Sequence, residues 1–92
     1  MTEPVTFTVQ RSGRIEVMLG AHVVATIHPH LGGARYRVFL PGRDGARLVH
    51  SVGKARRLVL HVLADWFDAA GPLFAPAAET VAMQAEMERE AA

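Results

Sequence analysis

Between Val5 and His50 the apolar side chains fall on alternate positions, and from Gly53 onward they recur every three or four. The period therefore changes once, from that of a strand to that of a helix, which predicts a sheet followed by a helix. Val5, Phe7 and Val9 on a first strand and Ile15, Val17 and Leu19 on a second must share a face if both cover one core. A two-residue turn at Ser12-Gly13 sets Val9 opposite Glu16 and fails. A three-residue loop, Arg11-Ser12-Gly13, with Gly13 in a left-handed conformation, sets Val9 opposite Ile15 and Phe7 opposite Val17. The same reasoning gives a loop at Gly20-Ala21-His22, with Val23, Ala25 and Ile27 facing Leu19, Val17 and Ile15. The run His28-Pro29-His30-Leu31-Gly32-Gly33 then breaks the alternation.

Two further strands, ARYRVFL and ARLVHS, flank PGRDG, whose Pro, Gly and Asp are turn formers. A five-residue loop pairs Val38 with Leu48 and Tyr36 with His50 on the core side. It leaves Phe39 beside Arg47, and Arg37 beside Val49, on the outer side. That outer side is basic, with Met18 and Val24 as further outward apolar residues. In the helical segment Ala55, Leu58, Val59, Val62, Leu63, Trp66 and Phe67 form a continuous stripe. Ser51 is placed to cap its start, Gly71 to take the C′ position, and Pro72 forbids continuation. The expected fold class is α+β: an antiparallel meander of about five strands, one long amphipathic helix on one face, and a short C-terminal helix. Residues 1–71 are expected to form the domain. Residues 72–92 are expected to be an acidic Ala/Glu/Met-rich helical tail, its thin apolar face of Val81, Met83 and Met87 leaving it frayed or engaged with a partner.

Composition narrows the picture. With 92 residues, half of them apolar, the chain has the makeup of one small globular domain. The absence of cysteine excludes disulfides and thiolate metal sites, and the expected location is the cytoplasm. The N-terminal stretch does not read as a signal peptide, and no run of apolar residues is long enough to span a membrane. A net charge of +1 conceals a division: nine basic and three acidic residues up to Val62, against one basic and six acidic after it.

Arg35, Arg37, Arg43, Arg47, Lys54, Arg56 and Arg57 crowd into one short segment, answered there only by Asp44. On a pleated hairpin Arg35, Arg37 and Arg47 project from the side opposite the helix, joined by Arg14. The guanidinium fork matches phosphate, and Phe39 offers a stacking surface. The order strand RYRVFL, turn PGRDG, strand ARLVHS and helix VGKARRLVLHVLADWF resembles the sheet-plus-helix DNA-binding domains of the AP2 and integrase arm-type class, over roughly residues 22 to 68. That resemblance implies a three-stranded sheet lying in the major groove, with Arg35, Arg37 and Arg47 on the contacting face.

Other chemistry is weaker. His22, His28, His30, His50 and His61 lack ligand spacing, and no metal or other cofactor is expected. His50 and Ser51 are adjacent and point to opposite faces, so they make no nucleophile and base. The expectation is a non-enzymatic binding module for DNA or RNA, accessory or regulatory in role. It would grip phosphate through Arg35, Arg37 and Arg47, with Arg43, Lys54, Arg56 and Arg57 at the sheet edge or helix start. The alternative is a protein-interaction module, homodimeric through an open face carrying Phe39, Val49, Val24 and Met18. No membrane partner is expected. In either case the acidic tail is a candidate to fold over the basic face.

Overall fold

A computed structural model describes residues 5–42 and 44–91. The chain runs through strands β1 (Val5–Val9), β2 (Ile15–Leu19), β3 (His22–His30), β4 (Arg35–Phe39) and β5 (Arg47–Val49), then helices α1 (Val52–Ala69) and α2 (Ala75–Ala91). The strands form one antiparallel meander in the order β1-β2-β3-β4-β5. The expected α+β architecture is present.

The first hairpin has the expected register, with Val9 opposite Ile15 and Phe7 opposite Val17. Gly13 sits at φ 86, and Gln10 closes the loop by donating to the Arg14 carbonyl at 2.8 Å. The second hairpin departs from expectation at its turn. Leu19 faces His22 across Gly20-Ala21, while Ile15 and Val17 still face Ile27 and Ala25, so β3 carries one extra residue in a bulge. The bulge reconciles a tight turn with the apolar register. It turns Val23 outward and packs Val24 against the core. β3 also runs through Pro29, which pairs with Tyr36. Because β2 begins at Ile15, opposite Ile27, β3 is locally an edge by Pro29, where a missing N–H is tolerated.

The third hairpin slips by one residue from the expected pairing: Val38 faces Arg47, Arg37 faces Leu48 and Tyr36 faces Val49. Gly42 and Gly45 both take positive φ in the intervening loop. A one-residue slip reverses the whole strand. Val49 turns toward the core in place of His50, whereas Leu48 emerges on the outer side. The gain is apolar burial: a valine replaces a histidine against Tyr36.

Ser51 caps α1 by accepting the Lys54 N–H at 3.1 Å, and Gly71 adopts φ 115, ψ 178 beyond the helix end. That conformation is essentially closed to residues with a Cβ. The buried arc of α1 is Ala55, Val59, Leu60, Leu63 and Phe67, rotated from the expected stripe so that Leu60 is fully covered and Trp66 is 51% exposed. Leu58 and Val62 are half-buried.

The cause is α2, which packs along α1 and against the same sheet face. Five strands at about 4.8 Å spacing span about 19 Å, roughly twice the diameter of one helix, so a single helix leaves half of the face wet. α1 lies against β4 and β5. α2 reaches β1, where the Gln84 side chain accepts from the Val5 N–H at 3.0 Å and donates to the Val5 carbonyl. The buried face of α2 is Ala78, Val81 and Ala85, small side chains that allow close approach, whereas Met83 and Met87 face solvent. The C-terminal segment is therefore part of the core, neither short nor frayed. Among the described residues no helix is long and apolar enough to cross a membrane.

Candidate nucleic-acid interface

With both helices on one side, the other side of the sheet is open. Thr8, Glu16, Thr26 and Phe39 form one row across it, because these residues are successive cross-strand partners. In the next row His28 faces Arg37, which faces Leu48, and Arg14 approaches His28 from the start of β2. In the row beyond, His30 faces Arg35, and Arg35 Nη1 donates to His50 Nδ1 at 2.9 Å. Three guanidinium groups and three imidazoles thus alternate over two rows of the sheet.

Electrostatics follow from this packing. His28 lies on a central strand, its pKa lowered from 6.5 first by partial burial, then by the positive charges of Arg14 and Arg37. Its Nε2 is 3.2 Å from Thr26 Oγ1, and its ring meets Phe39 edge-on at 5.1 Å between centroids. Glu16 is the acidic side chain of this face. It accepts from Gln10 Nε2 and lies 3.8 Å from Arg14 Nη2. Asp65, Asp68, Glu79 and Glu86 are exposed on the helices behind the sheet. The open face is basic, whereas the helix side mixes these carboxylates with the exposed Arg47 and Lys54.

The residues singled out by sequence are divided by this geometry. Arg35, Arg37, Phe39 and Met18 lie on the open face. Arg47 does not: paired with Val38, it belongs to the opposite side of β5, so the expected set of Arg35, Arg37 and Arg47 on one surface is corrected to Arg14, Arg35 and Arg37. Arg56 is also removed, because its guanidinium lies 4.2 Å from the centre of the Phe7 ring and donates to Glu88 on α2. Lys54 and Arg57 belong to the first turns of α1, behind the sheet. Arg43 lies outside the described residues. Of the expected interface residues, Val49 points inward and Val24 packs on the core; their places on the open face are taken by Leu48 and Val23.

His50, expected inside beside Tyr36, is exposed against Arg35. The signal for His28 and His30 in the sequence is their period-two spacing on one side of the turn, matched by that of Arg35 and Arg37 on the other. Among the described residues no group of three or more His, Cys, Asp or Glu side chains converges as metal ligands would. Comparison of the chain with protein-family models, with curated proteins and with solved structures finds no match.

Proposed function

We propose that the protein is a nucleic-acid-binding module that uses the open face of its sheet, with Arg14, Arg35 and Arg37 as the phosphate contacts. The observation that carries this reading is the two-row array of Arg14, His28 and Arg37 beside His30, Arg35 and His50 on the open face of the sheet. Guanidinium groups donate paired hydrogen bonds to phosphate oxygens, and imidazoles add donors without a fixed charge. Burial first, and then the positive charges of Arg14 and Arg37, lower the pKa of His28 at the centre of the array.

The test is fluorescence anisotropy with short oligonucleotides over a salt series. Three phosphate contacts give a log–log slope of roughly −2 on a single strand and nearer −3 on a duplex. Arg35→Ala with Arg37→Ala should flatten that slope by about two contacts' worth, whereas Arg47→Ala should leave it nearly unchanged. Equal losses from Arg47→Ala and from the double variant, or no binding at low salt, would remove the proposal.

A second reading is favoured by one observation: Val23 at 47%, Leu48 at 54% and Phe39 at 38% exposure lie on this same face. Self-association through it would bury them. A chain that stays dimeric at high salt by light scattering, becomes monomeric on Leu48→Glu and ignores oligonucleotides would support that reading in place of the first.

A further inference from the structure

The makeup of the open face points to the form of nucleic acid that fits. The array lies toward the end of the sheet beyond the β1–β2 pairing: Arg14 flanks the start of β2, and the row of His30, Arg35 and His50 is carried by β3, β4 and the end of β5. A duplex resting on this face offers phosphates to the arginines, but its bases are already stacked on one another and leave Phe39 without a partner.

A single strand uses both features of the face. Its backbone torsions adapt to the pleat, and its bases are free to lie on side-chain planes. The face supplies those planes: Phe39 is exposed by 38% and is braced edge-on by His28, which holds its ring in place. Arg37 is exposed one row beyond, and Arg35 lies against His50 in the row after that. Aromatic rings and guanidinium planes both stack on bases whatever their sequence. Charge complementarity is supplied by Arg14, Arg35 and Arg37, against Glu16 as the one carboxylate of the face among the described residues.

We infer that the open face takes single-stranded nucleic acid laid across β2, β3 and β4, with a base stacked on Phe39 and flanking phosphates held by Arg14, Arg35 and Arg37. This rests on the function proposed above and narrows it to a ligand form. The ligand requires no base-specific contact, so its sequence preference is weak.

The experiment uses the full chain and fluorescence anisotropy at fixed low salt. Its probes are a mixed-sequence DNA strand of about 12 nucleotides, within the usual site-size range for such surfaces, the RNA of the same sequence, and the blunt DNA duplex. Both single strands are expected to bind at least tenfold more tightly than the duplex. Phe39→Ala is expected to weaken single-strand binding by roughly 5- to 150-fold and to leave duplex binding within twofold. Phe39→Leu keeps apolar volume and removes the aromatic plane; it should lose binding as Phe39→Ala does while retaining the circular dichroism of the parent. Equal or tighter duplex binding overturns the inference and leaves the broader reading standing. Single-strand binding that is indifferent to both Phe39 variants overturns the stacking contact and the inference with it. If none of the probes binds, the broader reading falls as well.

Discussion

At the scale of single residues, His28 is the most informative. It is faced by Arg14 from β2 and by Arg37 and Phe39 from β4, with Thr26 beside it on its own strand and Glu16 one row away. Burial and the two arginines disfavour its cationic form in the folded protein. The unfolded chain, with an ordinary histidine pKa near 6.5, therefore binds the proton more readily. Above that pKa both states are neutral and nothing is lost. As pH falls through it toward the lower folded value, stability falls. Thermal melts at about pH 7.5 and about pH 5.5 should show a decline attributable to this residue, reduced in His28→Asn. Glu16 provides the complementary test. It pairs with Arg14, so under the proposed function Glu16→Gln should tighten oligonucleotide binding, by up to about fivefold if a surface ion pair of ~1 kcal/mol is all that is released.

At the scale of elements, α2 is placed by extensive packing along α1 and by one polar clasp on β1. Ala78, Val81 and Ala85 bury against α1 and the sheet, and Gln84 satisfies both the N–H and the carbonyl of Val5 on the outer edge of β1. An edge strand otherwise presents such groups as a template for another chain. Gln84→Ala should speed hydrogen exchange at the Val5 amide and lower stability by about 1–3 kcal/mol, the cost of leaving partly buried polar groups unmet. Leu60→Ala removes a fully buried side chain from α1 and should cost about 2–5 kcal/mol by urea denaturation. Trp66→Ala should cost far less than its size suggests, because half of that side chain is already in water. The elements themselves were readable in the pattern, but the rotation of α1 about its axis was not, since it follows from which neighbours α1 acquires.

At the scale of the whole molecule, the open face carries Arg14, Arg35 and Arg37 beside Glu16, while the helix side mixes the exposed carboxylates of Asp65, Asp68, Glu79 and Glu86 with Arg47 and Lys54. The open face is thereby the more favourable side for a polyanion, an effect that weakens with salt. The acidic C-terminal segment does not cover the basic face, as the charge pattern alone had suggested; its Glu88 is bound to Arg56 behind the sheet. Truncation before Ala75 should therefore not strengthen oligonucleotide binding. It should uncover the β1 side of the core and abolish cooperative unfolding, which calorimetry or a urea titration with circular dichroism detects directly.

The amino-acid sequence by itself determined the order of strands and helices, the register of the first hairpin and the capping of α1. These are local matters: alternation, turn chemistry and end residues act between positions close along the chain. It also made Arg14, Arg35, Arg37 and Phe39 legible as outward residues, because β2 and β4 carry their alternation without interruption. Only the tertiary structure decided which side of β5 faces out, because a one-residue slip at Gly42 and Gly45 costs little locally and is settled by whether Val49 or His50 meets the core. Only the tertiary structure brought the histidines among the arginines, moved Arg47 and Arg56 away from them, and made α2 the second half of the cover. The width of a five-stranded sheet exceeds one helix, and that surplus is a property of the assembled sheet that no single segment contains.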